Sequence, residues 1–266
     1  MSVLKNHRSV AYTEFENTFT ALYQLSARRT SSVPKRRKKW VSDKIDVIMN
    51  RASMYVIAIN SLYIYENKRE EVSKLASKAF NLLMTLEKRL IVLWNIEKYE
   101  VRKMAAWATL IRKELILLNK RILDDTKDDD IEMFMILDWQ FIGKSEFCQN
   151  MCNLHRYTHG KVTNANCGFD STHGSLLIDL VDSALYNVMK GNYKVPKTKA
   201  EYEKRAKCIS TAISALKAMN RPLLFYFNVM HYSEEVMKTW SNMITKEIKL
   251  LCSLQQSDKK RFSELP

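Results

Sequence analysis

An all-α protein of two tandem antiparallel four-helix bundles is what the sequence predicts, and three observations lead there. The chain has only five glycines and four prolines in 266 residues, too few for strands joined by tight turns or for phosphate-cradling loops. Apolar residues recur at helical spacing over long stretches. The chain also repeats itself: shifted by 133 positions, Ser42–Leu118 lies over Ser175–Leu251 without a gap, and 18 of 77 columns are identical. Met104, Trp107, Ile111, Lys113, Glu114, Leu117 and Leu118 fall on Met237, Trp240, Ile244, Lys246, Glu247, Leu250 and Leu251. Ile45-Asp46 falls on Ile178-Asp179, Asn95 on Asn228 and Tyr99 on Tyr232, and with a one-residue slip Glu14-Phe15 meets Glu146-Phe147. One module is therefore used twice.

Each unit reads as four helices. The first spans about Tyr12 to Arg28 and stops in the polar stretch Arg29–Ser32, with Pro34 close behind. The second, opened by the run Lys35–Lys39, carries Val41, Ile45, Ile48, Ala52, Tyr55, Ile59 and Leu62 in steps of four and three, one seam for a partner helix. The third runs from near Val72 to Trp94 with Leu75, Ala79, Leu82, Leu83, Leu86 and Leu90 inward. The fourth begins near Tyr99 and continues to about Leu123. Short connections between helices of this length favour antiparallel neighbours.

The acidic block Asp124, Asp125, Asp128, Asp129 and Asp130 marks a boundary, because like charges resist packing. The division expected is a first bundle over 1–124, a linker and start of the second unit over 125–145, a diverged bundle over 146–257 and a basic tail over 258–266. The second unit departs from the first in a longer loop, about Gly160–Gly174, and in Pro222, which stands where the first unit has Arg89. A proline inside the third helix predicts a kink or break just before it.

Charge narrows the function. The 43 Lys+Arg exceed the 29 Asp+Glu by 14, which suits nucleic acid or an acidic partner. The excess is uneven: residues 1–130 hold 25 basic and 16 acidic residues (+9), and 131–266 hold 18 and 13 (+5). Arg28, Arg29, Lys35, Arg36, Arg37, Lys38 and Lys39 place seven cations in twelve positions without one acid, the footprint of phosphate-backbone contact. On the fourth helix Met104, Trp107, Ile111, Leu115 and Leu118 form a core face, while Arg102, Lys113 and Lys120 share the opposite side. A solvated helix face is the plainer reading of that stripe. In the second copy Glu235 replaces Arg102 and Ser253 replaces Lys120, leaving Lys246, Lys249 and the tail Lys259, Lys260 and Arg261. Trp107 and Trp240 sit on apolar faces and are expected in the core.

Catalysis is not indicated. The sequence has no P-loop, no Gly-rich dinucleotide fingerprint and no Ser/His/Asp spacing, so no enzyme activity and no cofactor are expected. Cys148, Cys152, His155 and His159 stand at i, i+4, i+7 and i+11 on one helix face. One straight helix cannot wrap four ligands around one ion; two of them with Cys167 or His173 could, and core-filling cysteines edged by histidines is the plainer reading. The five cysteines suit reduced thiols. With no run of roughly 18 apolar residues and no apolar leader at the start, the expectation is a cytoplasmic protein without membrane contact.

The segment Val33-Pro34-Lys35-Arg36-Arg37-Lys38-Lys39-Trp40, leading into a long second helix that ends Ala58-Ile59-Asn60, is followed by a Leu-rich third helix (Leu75, Leu83, Leu86, Leu90) and a fourth with a late apolar seam. Together with Ser2-Val3-Leu4-Lys5, Arg8-Ser9 and Leu25-Ser26-Ala27-Arg28, this resembles Avd, the accessory variability determinant of diversity-generating retroelements. The resemblance covers roughly residues 1–123 and, through the repeat, 146–256 more weakly. It implies a bacterial or phage-encoded, non-enzymatic partner of a reverse transcriptase that binds structured RNA or RNA/cDNA and self-associates into a basic ring, commonly of five bundles. The matching basic groups would be Lys35–Lys39, Arg102, Lys113 and Lys120. Two units in one chain depart from the family pattern and do not fit a ring of five with every bundle used. The rival reading is a helical protein–protein scaffold or regulator, for example in phage defence, that binds no nucleic acid.

Overall fold

The computed structural model describes residues 10–62, 65–99, 101–122, 145–164, 172–262 and 264–265. The protein is all-α. Along the chain run α1 (Val10–Ser31), α2 (Lys35–Lys38), α3 (Ser42–Leu62), a 3-10 turn (Glu66–Lys68), α4 (Arg69–Glu97) and α5 (Val101–Asn119). Then come α6 (Glu146–Thr163), α7 (Thr172–Asn192), α8 (Lys199–Ala218), α9 (Asn220–Met230) and α10 (Glu234–Phe262). No helix among the described residues is long and apolar enough to cross a membrane. Two compact units divide the chain: Met1–Leu93 with Tyr99–Leu137, and Asp138–Pro266 with the short stretch Trp94–Lys98. The last turn of α4 thus groups with the second unit. The block Asp124–Asp130 lies outside the described residues.

In the first unit α1 packs on α3 and α5. Phe15, Phe19 and Leu22 of α1 are buried with Met104, Trp107, Ile111, Leu115 and Leu118 of α5, the apolar face expected of that helix. The seam of α3 is turned slightly from the one the spacing suggests. Ile45, Ala52 and Ile59 are buried as expected, but Met49 and Val56 fill the steps between them and leave Ile48, Tyr55 and Leu62 half-exposed on the flank. Two apolar ladders of the same period share every second member, so periodicity alone cannot choose between them.

The basic run does not open α3. Residues 35–38 form a separate single turn with Pro34 as its N-cap, and the chain turns at residues 39–41 before α3 begins at Ser42. Cations three and four positions apart repel along a helix, so a continuous helix through the run would carry that repulsion. In the second unit the break ahead of Pro222 is present: α8 ends at Ala218 and α9 starts at Asn220. Proline cannot donate to the carbonyl four residues back, and Pro222 is instead accommodated in the first turn of α9. There α6 packs on α7 and α10, α8 packs on the same two, and α9 leans on α7 and α8.

The duplication recurs contact by contact. Trp107 Nε1 donates to Ser26 Oγ at 3.0 Å, and Trp240 Nε1 to Thr158 Oγ1 at 3.0 Å. Tyr99 Oη donates to the Arg29 carbonyl at 3.2 Å, and Tyr232 Oη to the Lys161 carbonyl at 2.8 Å. Lys113 pairs with Glu14 at 2.8 Å and Lys246 with Glu146 at 2.9 Å. Lys98 and His231, equivalent positions just before those tyrosines, both take the left-handed conformation (φ 52° and 51°), a way of ending a helix that residues other than glycine rarely adopt. Both tryptophans are buried core residues; the indole N–H of each finds the one hydroxyl that satisfies it.

Candidate functional site

Two features could carry function, and they differ in kind: a basic turn at the surface of the first unit and a polar cluster buried in the second. The basic turn is built by the end of α1 and by α2. Arg28, Lys35 and Lys39 are exposed, and Arg29, Arg37 and Lys38 are half-buried; Arg36 lies in the same turn. Pro34 forces the chain out of α1 and directly into α2, so the cations follow one another around a tight corner. The corner is pinned. The Ser32 and Tyr99 hydroxyls meet at 2.6 Å beside the Arg29 carbonyl, and the Lys39 ammonium lies 5.3 Å from the Trp40 ring centre.

The other expected basic residues are less uniform. Arg102, Lys120 and Lys249 are exposed. Lys113 and Lys246 are each engaged by a carboxylate of the first helix of their own unit, so their charge is largely matched within the fold. Lys120 stands just beyond the end of α5 and adds to the field that keeps the Glu14 carboxyl low, after the larger effect of Lys113. Lys259, Lys260 and Arg261 are not a tail: α10 continues through Phe262. Asp258 anchors it, accepting from Arg205 Nε at 2.6 Å and from Arg205 Nη2 at 3.3 Å, while Arg205 Nη1 donates to the Gly191 carbonyl at 2.7 Å.

The buried cluster is centred on Asp182 of α7. His155 and His159, one turn apart on α6, direct both Nε2 atoms at Asp182 Oδ1, at 3.0 and 2.8 Å. Their rings lie 4.5 Å apart, and all three side chains are buried. Asn95 continues the network: its Nδ2 contacts His155 Nδ1 at 2.9 Å and donates to the Cys152 carbonyl at 3.0 Å, and its Oδ1 accepts from Arg156 at 3.2 Å. His159 Nδ1 is buried without a hydrogen-bond partner. Burial, reinforced by the neighbouring His159, pushes the His155 imidazole down to about 4. Burial would raise the Asp182 carboxyl, but the His159 charge and both imidazole hydrogen bonds hold it well below the usual carboxylate range.

The four-residue metal candidate from the first helix of the second unit divides here. Cys148, Cys152, His155 and His159 are all buried on one face, but the groups that converge are His155, His159 and Asp182, whose ligand atoms lie within 4.8 Å of one another. Burial raises the Cys148 thiol to about 11 and the Cys152 thiol to about 12, so both stay protonated, and Cys148 Sγ accepts from Asn192. His173 stacks on Phe225 instead of joining the cluster, and Cys167 lies outside the described residues. Asp182 carried no such signal in the sequence: it stands where the first unit has Met49, which only the packing of α3 shows to be a core position. No protein-family model matches this chain, and no curated protein or solved structure does either.

Proposed function

We propose that the chain is a non-enzymatic RNA-binding protein that holds structured RNA, or RNA/cDNA, against a reverse transcriptase. One observation carries the nucleic-acid part: seven cations within residues 28–39, with no acid among them, gathered on a pinned corner between α1 and α3. Cations so placed bind phosphates by releasing counterions, giving affinity with little sequence preference. Arg102 and Lys120 of the first unit, and Lys249, Lys259, Lys260 and Arg261 of the second, extend the basic surface of their own units. The polymerase partner rests on the resemblance to Avd, as does assembly into a ring.

Charge reversal of Lys35, Arg36, Arg37, Lys38 and Lys39 to Glu tests the reading. With a pool of structured RNA hairpins, wild-type affinity should fall with salt at a log–log slope of about −5 to −6 if all seven cations meet phosphates. The variant should lose that slope while unfolding at the wild-type temperature. An RNA affinity indifferent to salt, or equal in the variant, refutes it. Recovery of a reverse transcriptase with one enriched RNA, on isolating the tagged protein from its native cells without nuclease, would support the accessory role.

A second reading has its own observation. Val47, Met54 and Ile57 form an exposed apolar stripe along α3, which suits a protein-binding scaffold. Protein partners recovered without any RNA would favour it.

A further inference from the structure

We propose that His155, His159 and Asp182 bind a divalent transition-metal ion of the zinc class inside the second unit. The three offer two imidazole nitrogens and a carboxylate oxygen, a donor set that zinc and its neighbours accept. The two imidazoles come from positions i and i+4 of α6, so one rigid helix aims both Nε2 atoms the same way, and the carboxylate comes from α7 packed against it. Adjacent ligands of a tetrahedral ion held at about 2.1 Å stand roughly 3.4 Å apart, somewhat wider than the Nε2–Oδ1 separations of 3.0 and 2.8 Å. Metal entry would open these two separations by about half an ångström, and all three ligand atoms already lie within 4.8 Å of one another.

The comparison of the two units points the same way. The positions equivalent to His155, His159 and Asp182 are Tyr23, Ala27 and Met49 in the first unit, where Tyr23 and Ala27 are exposed and only Met49 is buried. The second unit keeps the Trp–hydroxyl, Tyr–carbonyl and Lys–Glu contacts of the module but changes all three of these positions together. Burying two imidazoles and a carboxylate costs energy that hydrogen bonds or a bound ion must offset.

Binding makes a specific demand on Asn95. His155 must present a bare Nε2 to the ion and carry its proton on Nδ1, whereas Asn95 now offers Nδ2 to that nitrogen. The amide must turn to bring Oδ1 to His155 Nδ1, giving up its contacts with Arg156 and with the Cys152 carbonyl. The neutral His155 imidazole only changes tautomer, whereas a proton that His159 carries on Nε2 is released as the ion takes its place. Turned in this way, Asn95 would orient the ligand from behind.

The test uses the full chain. Wild-type protein, stripped with a chelator and titrated with Co²⁺, should bind one equivalent and develop a visible d–d band. It should show no intense near-ultraviolet thiolate charge-transfer band, because nitrogen and oxygen are the donors. Zn²⁺ should raise its melting temperature and the chelator lower it again. The His159→Gln and Asp182→Asn variants should lose the visible band at the same cobalt concentration while keeping helical circular dichroism. Failure of the wild type to take up Co²⁺ or Zn²⁺ overturns the proposal. So does a thiolate band, which would assign the ion to cysteines, or uptake unchanged in both variants. Should the variants not fold, the wild-type spectrum and melting shift still decide the outcome.

Discussion

Replacing Glu114 by Gln should remove a pH dependence that the fold builds into its own core. Glu114 and Glu247 are equivalent in the repeat, and both are fully buried on the helix that carries the tryptophan. Neither oxygen of Glu114 has a hydrogen-bond partner, and Glu247 has one, Asn150 Nδ2 at 2.8 Å on Oε2. Burial pushes both carboxyls up to about 8, against a partial offset from Arg121 in the first case and from Asn150 in the second. A carboxyl whose pKa is higher folded than unfolded binds more protons in the native state. It therefore supports the fold fully below the unfolded value near 4.5 and loses that support as the pH rises to about 8. At about 1.4 kcal/mol per pH unit, the upper limit is about 5 kcal/mol across the window, with about 3 kcal/mol of it gone at pH 7. The assay is urea unfolding of wild type and Glu114→Gln at several pH values between 5 and 8.5. The amide does not titrate, so the stability of the variant relative to wild type should climb with pH and level off above 8. Its absolute offset is immaterial, because a buried amide carries its own constant cost. Subtraction also cancels His155, whose lowered pKa acts in the opposite direction between about 4 and 6.5 in both proteins. A difference that stays flat over this range would show that Glu114 is ionised in the native core, and the reasoning fails.

Two further outcomes follow from other contacts. In a double-mutant cycle on Trp240→Phe and Thr158→Val, the pair should couple by about 1 kcal/mol, and the equivalent Trp107→Phe and Ser26→Ala pair by a similar amount; urea unfolding that gives additive effects would refute the hydrogen bonds. Arg205→Ala should destabilise the second unit by about 3 to 5 kcal/mol, because it leaves Asp258 buried and unpaired, and Arg205→Ala/Asp258→Leu should recover most of the loss in thermal unfolding.

The sequence by itself determined the helical class, the duplication and most helix limits, because these depend on local signals. Few glycines, a 3.6-residue apolar period and the proline at 222 act within one helix turn of where they stand. The pairing of Trp107 with a core was legible for the same reason. Which of two overlapping ladders α3 buries was not, since Ile45, Ala52 and Ile59 belong to both, and only the helices packed against α3 choose Met49 and Val56 over Ile48 and Tyr55. The basic run was legible as charge, but its separation from α3 depends on how the chain turns at residues 39–41. The histidine cluster shows the limit most clearly. His155 and His159 share a face because they are four residues apart, and that spacing is written in the sequence. Asp182 is 23 positions further along and reaches them only because α7 packs on α6. Helical periodicity fixes which side chains lie on one face, whereas the packing of one helix on another decides which faces meet.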